Sequence, residues 1–106
     1  MTTNTDRELL ELAAKAIGLK LRYNYLGGRD ANQPWDPLED DGDALRLAVY
    51  LDFGVEVMQS LALVRAGNGD QKIVEVHWNL KDVPDAFTAT RRAIVRAASE
   101  IGKAKP

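Results

Sequence analysis

Cysteine is absent from the 106 residues of this chain, and histidine occurs once, as His77. The lack of cysteine excludes disulfide bonds, thiolate zinc sites, iron–sulfur clusters and cysteine nucleophiles within the chain. A single histidine excludes any metal site in it that needs two imidazole ligands. These two absences remove several common classes of enzyme and of metal-binding protein.

Long apolar runs are also absent, and none approaches the roughly 20 residues that a membrane-spanning helix requires. Residues 1–8 are polar, without the basic and apolar regions of a secretory signal. We therefore expect no membrane span and a cytoplasmic location. A composition of 45% apolar and 28% charged residues is that of an ordinary globular protein, and the length predicts a single domain over residues 1–106.

The net charge of −2 conceals an uneven distribution along the chain. Residues 30–43 contain six acidic side chains and no basic one, whereas residues 91–105 contain five basic side chains and one acidic one. Each stretch could face the other or meet a partner of opposite charge.

Three segments have apolar residues at helical spacing, which predicts three helices. Their start signals are, in chain order, the capping box of Thr5 and Glu8, then Asp40 or Asp41, and last Asp82 before Pro84. Gly18, Gly54 and Gly102 are the residues at which we expect these helices to stop. Within the apolar stripes, Leu45, Phe87 and Ile94 are predicted to lie in the core.

Strand patterns fill the remaining segments. Residues 19–25 alternate between apolar and polar, residues 55–65 are apolar at both parities as in a strand covered on both sides, and residues 72–78 alternate again. The glycine-rich turn at 67–70 joins the last two as a hairpin. The order α-β-α-β-β-α predicts an α+β fold, with a small three-stranded, largely antiparallel sheet and helices packed on its faces.

The residues do not form a recognisable catalytic constellation. Neither Ser60 nor Ser99 lies in a nucleophile elbow, and the glycine-rich turns lack the phosphate-binding and dinucleotide-binding patterns. An EF-hand loop aligned on Gly42 would place Pro37 and Ala48 at ligand positions, where neither can bind calcium. We expect no enzyme activity, no cofactor and no metal. A metal-dependent enzyme of unfamiliar type that uses Asp or Glu side chains stays open as an alternative.

The acidic stretch is the candidate partner-binding site. It combines an aromatic residue with carboxylates in the set Trp35, Asp36, Glu39, Asp40, Asp41 and Asp43. An exposed tryptophan beside acidic groups is typical of an interface anchor, although Trp35 could instead close over the core. Helix capping accounts for part of the acidity.

A nucleic-acid-binding protein is the second alternative. Arg91, Arg92 and Arg96 place at least two guanidinium groups on the outer side of the third predicted helix, where they could meet phosphates. The isoelectric point of about 5.3 and the lack of aromatic residues for base stacking near that helix disfavour this function.

The stretches WDPLEDDGDALRLAVYL at 35–51 and ATRRAIVRAASEIGK at 89–103 resemble the phage ABA sandwich domain family, a group of small uncharacterised phage and prophage proteins. The likeness extends over most of the chain. It is carried by Trp35, Pro37, Leu38, Asp41, Ala44, Leu45 and Leu47, and by Ala89, Arg91, Ala93, Ile94, Ala97 and Ala98. The resemblance implies an α/β/α sandwich and carries no catalytic residues.

Together, these patterns and the resemblance predict a small non-catalytic phage or prophage accessory protein. We expect it to act in the host cytoplasm by protein–protein interaction, with inhibition of a host defence protein as one form of that activity. The partner, a host or phage protein, and the oligomeric state are left open.

Overall fold

The computed structural model describes residues 2–19, 21–22, 25–26, 34–69, 73–79 and 83–106. These ranges contain three α-helices, five strands and one short 3-10 helix. In chain order they are α1 (Thr2–Ala16), β1 (Leu21–Arg22), β2 (Tyr25–Leu26), α2 (Asp41–Tyr50), β3 (Gly54–Met58), the 3-10 helix (Gln59–Leu61), β4 (Leu63–Gly67), β5 (Val74–His77) and α3 (Ala86–Ala104).

Strands β3, β4 and β5 form an antiparallel sheet in that order. Val57 pairs with Val64, and Val64 pairs with Val76, so these three valines lie on one face of the sheet. The opposite face carries a cross-strand row of charged side chains, Glu56, Arg65 and Glu75. The predicted α+β class with a three-stranded antiparallel sheet is confirmed.

Helix α3 lies at the centre of the molecule, because it contacts α1, α2 and all three strands of the sheet. Ile94 is only 3% exposed and belongs to the core, as predicted. Several other buried positions on α3 are alanines, namely Ala89, Ala93, Ala97 and Ala98. Such small side chains allow neighbouring helices to approach closely, so the core is built around this one helix.

Helix α3 packs on the apolar face of the sheet. Val64 and Val76 are buried there beneath α3, while α1 and α2 pack against α3. The side chains of the charged row on the opposite face remain 46 to 63% exposed. In the part of the chain that the structure describes, the layers are therefore the sheet, α3 above it, and the other two helices against α3.

The prediction of one strand over residues 55–65 is wrong. The 3-10 helix divides this segment into β3 and β4, and Ala62 then adopts a left-handed backbone with φ of 49°. The chain reverses there, and Met58 pairs with Leu63 across the turn. Residues 55–65 are apolar at both odd and even positions because two antiparallel strands share the segment. The pattern therefore did not mean that one strand was covered on both sides.

The first predicted strand, residues 19–25, does not join the main sheet. Its described residues form a separate small hairpin in which Leu21 pairs with Leu26 and Arg22 pairs with Tyr25. Tyr23 lies outside the described residues. Alternation with period two identifies extended backbone but does not identify the strand with which it pairs, which is why the prediction placed this segment in the main sheet.

Two helix starts differ from their predictions. Helix α1 begins at Thr2, so Thr5 lies inside it and the predicted capping box is wrong. The N-cap of α3 is Asp85, whose carboxylate accepts a hydrogen bond of 2.8 Å from the N–H of Thr88. The predicted cap, Asp82, lies outside the described residues. Both aspartates precede the same apolar stripe, and the stripe alone does not determine which of them caps the helix.

Leu45 and Phe87 are not core residues, contrary to the prediction. Leu45 is 63% exposed and Phe87 is 69% exposed. Helix α2 buries Ala44, Leu47 and Ala48, and Leu45 lies on the flank beside this buried side. The apolar positions of α2 cover a wider arc than its neighbours can cover, so one row of them faces outward.

Candidate functional site

Carboxylates within and just after the acidic turn, residues 36–40, accept hydrogen bonds from its backbone. The side chain of Asp36 accepts a hydrogen bond from the N–H of Leu38 at 3.2 Å, and its carbonyl oxygen accepts one from the N–H of Asp40 at 2.8 Å. The N–H of Asp36 in turn donates to the carboxylate of Asp43 at 2.9 Å. Two of the predicted partner-binding residues, Asp36 and Asp43, thus hold the turn together.

Asp40 and Asp43 also serve the start of α2. Asp40, one of the two residues predicted for this role, is the N-cap, and its carboxylate accepts a hydrogen bond of 2.8 Å from the N–H of Asp43. The Asp43 side chain is only 12% exposed and forms an ion pair of 2.7 Å with Arg46. Negative charge at this end of a helix is favoured by the helix dipole.

The pKa of Asp36 is raised above its ordinary value, mainly because burial disfavours the charged carboxylate. The hydrogen bond from the N–H of Leu38 opposes this change, because it stabilises the charged form. The pKa of the exposed cap Asp85 is lowered, chiefly by the hydrogen bond from the N–H of Thr88. Both shifts therefore reflect structural roles of these carboxylates.

Arg91 connects α3 to the acidic turn. Its Nε donates to the carbonyl oxygen of Leu38 at 2.8 Å, and its Nη1 pairs with the carboxylate of Asp41 at 2.6 Å. Its Nη2 donates to the hydroxyl oxygen of Thr88 at 3.2 Å. Because the Arg91 side chain is only 15% exposed and all three nitrogens have partners, it acts as a clamp between elements of the fold.

Replacing Arg91 by methionine is expected to lower the free energy of unfolding by about 1 to 3 kcal/mol, because the Leu38 carbonyl loses its charged donor. Urea unfolding followed by circular dichroism measures this loss. Arg96→Met is the matched control, since Arg96 is exposed and its replacement should stay within about 0.5 kcal/mol of wild type. Equal stability of the two variants would mean that the clamp is not formed in solution.

The three arginines of the nucleic-acid alternative do not act as one cluster. Arg91 belongs to the clamp, and Arg92 forms two hydrogen bonds, of 3.1 and 3.3 Å, with the carboxylate of Asp6 in α1. In the part of the chain that the structure describes, the buried Nε of Arg92 has no hydrogen-bond partner. Arg96 is exposed and has no ion pair among the described residues. Only one of the three guanidinium groups is therefore free to meet a phosphate.

An open groove of about 640 Å³ lies between α1, α3 and β5. Its charged lining contains both signs and consists of Arg92, Arg96, Lys103, Glu75 and Glu100. Glu100 lies 3.4 Å from the ammonium group of Lys103. A phosphate backbone favours continuous positive charge, so this groove gives the nucleic-acid alternative no support.

Trp35 is buried, with 7% of its surface exposed, and belongs to the main core with Leu38. Of the two interpretations of this residue, closure over the core is the one that the structure shows. Its indole ring is not available as an exposed interface anchor. The accessible part of the predicted site consists of carboxylates, because Glu39, Asp40 and Asp41 are exposed.

Beside these carboxylates, α2 exposes two aliphatic side chains that the sequence predictions had not assigned to a surface. Leu45 and Val49 are 63% and 70% exposed. With Asp41, whose side chain is 67% exposed, they occupy positions four residues apart on one flank of the helix. We call Asp41, Leu45 and Val49 the α2 ridge. In the sequence, the second apolar row beside the buried stripe of α2 indicated this ridge.

The described residues also bear on a metal site and on a membrane span. No group of three or more His, Asp or Glu side chains in them comes together in a way that could hold a metal ion. Among the same residues, no helix is long and apolar enough to cross a membrane.

Comparisons of the chain with protein-family models, curated proteins and solved structures find no match. The resemblance to the phage ABA sandwich family therefore stays a prediction. The functional proposal rests on the exposed surfaces of the molecule.

Proposed function

We propose that this chain is a small non-catalytic accessory protein that acts by binding another protein through the acidic turn and the α2 ridge. The observation that carries the proposal is the exposure of Leu45 and Val49 directly beside the accessible carboxylates of Glu39, Asp40 and Asp41. The partner would be a host or phage protein, in keeping with the resemblance of residues 35–51 to a phage family.

The chemistry of this surface defines the kind of partner that fits it. Covering Leu45 and Val49 would each contribute about 1.5 to 3 kcal/mol if the side chains became fully buried. The nearby carboxylates favour a partner whose apolar patch is surrounded by basic side chains, and they would speed its association at low salt. A partner surface with basic side chains around an apolar centre is also one for which an acidic protein would compete with nucleic acid.

The double substitution Leu45→Ser with Val49→Ser is expected to change the free energy of unfolding by less than about 0.5 kcal/mol, because both side chains are already exposed. It should nevertheless weaken partner binding about tenfold or more, since apolar anchors supply most of the affinity of an interface. Thermal unfolding measures the first effect. Titration with a partner captured from a bacterial host lysate and then purified measures the second.

The matched control is Leu61→Ser, which removes an aliphatic side chain that is 58% exposed and belongs to the 3-10 helix rather than to α2. It should leave partner affinity unchanged. If every captured protein binds the double variant as well as it binds wild type, the α2 ridge is not a binding surface and the proposal fails.

A further inference from the structure

Strand β3 forms an edge of the three-stranded sheet, because the strand order is β3-β4-β5. In the described residues, no strand pairs with its outer side. Four of the five residues from Gly54 to Met58 are exposed, and Met58 is half-buried. An uncovered edge presents backbone N–H and C=O groups that can pair with another extended chain.

The apolar face of the sheet extends beyond the cover that α3 provides. Val64 and Ala66 on β4 are 0% and 1% exposed, whereas their cross-strand neighbours Val57 and Val55 on β3 are 44% and 39% exposed. Two valines on the same face as the core therefore remain in water at the edge. Aliphatic side chains on an adjacent strand would cover their outer sides.

Glu56, on the other face of β3, forms the longer of the two ion pairs that Arg65 makes. The Nε of Arg65 lies 2.7 Å from the carboxylate of Glu75, while its Nη1 lies 3.9 Å from that of Glu56. Arg65 is therefore engaged mainly by β5, and the Glu56 side chain stays 63% exposed at the open edge. The cross-strand position on its outer side favours a positive charge.

We propose that the edge of β3 binds an extended segment of a partner protein as a fourth, antiparallel strand. The segment would place a lysine or arginine opposite Glu56 and aliphatic residues opposite Val55 and Val57. The alternating pattern follows from the sheet, in which successive side chains point to opposite faces. Backbone hydrogen bonds supply affinity in this mode of recognition, and the alternating side chains supply specificity.

The edge of β3 shares no residue with the α2 ridge, so it is a second binding surface beyond the proposed function, and the two can fail separately. A second copy of this chain fits the edge less well in the register centred on Glu56, because that register would place two glutamates opposite each other.

The test uses two short synthetic peptides, one with alternating valine and lysine and one with alternating valine and glutamate. Titration of the full chain, followed by NMR of its backbone amides, should show tighter binding of the lysine peptide. Amide hydrogen exchange of β3 should slow at every second residue, because only alternate N–H groups of an edge strand point outward. A peptide that only covered the side chains of Val55 and Val57 would not slow this exchange.

Glu56→Lys should reverse the preference, weakening the lysine peptide roughly tenfold and strengthening the glutamate peptide. Glu11→Lys is the matched control. It makes the same change of charge on α1 at a side chain that is 52% exposed, and it should leave the preference unchanged. The double substitution of Leu45 and Val49 should also leave peptide binding unchanged, which separates this surface from the α2 ridge.

Equal binding of the two peptides, or a preference that Glu56→Lys and Glu11→Lys change alike, would overturn the proposal. So would exchange that slows outside β3 only. Concentration-dependent dimerisation that protects β3 in the absence of peptide would assign the edge to a second copy of the chain and would also overturn it.

Discussion

Replacing Gly102 by alanine is expected to lower the free energy of unfolding by about 3 kcal/mol or more, at the upper end of the cost of overpacking. Gly102 is buried on α3. A Cβ atom there would overlap the carbonyl oxygen of Leu12 and lie 2.8 Å from its carbonyl carbon. Both atoms belong to the backbone of α1, so no change of rotamer can make room. The two helices would have to separate.

The expected change in stability has the opposite sign from that of an ordinary glycine-to-alanine substitution in a helix. At a helix position without such a contact, alanine in place of glycine stabilises by about 0.8 to 1.0 kcal/mol. Gly69→Ala, in the turn after β4, is the control outside a helix, because a Cβ atom at Gly69 would meet nothing within 4 Å. Urea unfolding of both variants measures the difference. A Gly102→Ala protein as stable as wild type would show that α1 and α3 do not pack this closely.

Gly102 also illustrates how one residue can give a misleading sequence signal. The sequence indicates a helix end there, since glycine commonly follows the last turn of a helix. Helix α3 continues to Ala104, and the glycine instead allows close contact with α1. Both roles require a residue without a side chain. The helix that approaches Gly102 is about 90 residues earlier in the chain, where local patterns give no information about it.

Some features that depend on neighbours in the chain were predicted correctly, although the capping box of Thr5 and the single strand over residues 55–65 were not. The N-cap Asp40 bonds to a residue three positions later, and the hairpin of β4 and β5 joins strands that follow one another. The apolar stripe of α3 correctly placed Ile94 in the core. In each case the physical cause lies within a few residues, so the sequence contains it.

Features that depend on distant partners could not be predicted in the same way. Arg91 and Leu38, which are joined by a hydrogen bond, are 53 positions apart. The sequence therefore indicated an arginine on an outer helix face, while the fold engages it in a clamp. For the same reason, Leu45 and Val57 are apolar like core residues, but the neighbouring elements do not extend over them. Both candidate binding surfaces arise from this incomplete cover.

Replacing Trp35 by alanine is expected to lower the free energy of unfolding by about 3 to 5 kcal/mol, the usual cost of deleting a large buried aromatic side chain. Trp35 is 7% exposed and packs in the main core. Trp35→Phe keeps most of the apolar volume and should cost distinctly less. Circular dichroism in urea measures both changes.

The fluorescence of Trp35 provides an independent measurement, provided that the second tryptophan, Trp78, is first replaced by phenylalanine. In that background, a buried Trp35 should emit at short wavelength and resist quenching by acrylamide, because its ring is shielded from water. Trp35→Phe should also leave partner affinity unchanged, since the ring does not reach the surface. Red-shifted, readily quenched emission together with a loss of less than about 1 kcal/mol in Trp35→Ala would contradict the core position. Trp35 would then regain the role of an exposed anchor beside the acidic turn, and the binding surface would extend from the α2 ridge to the indole ring.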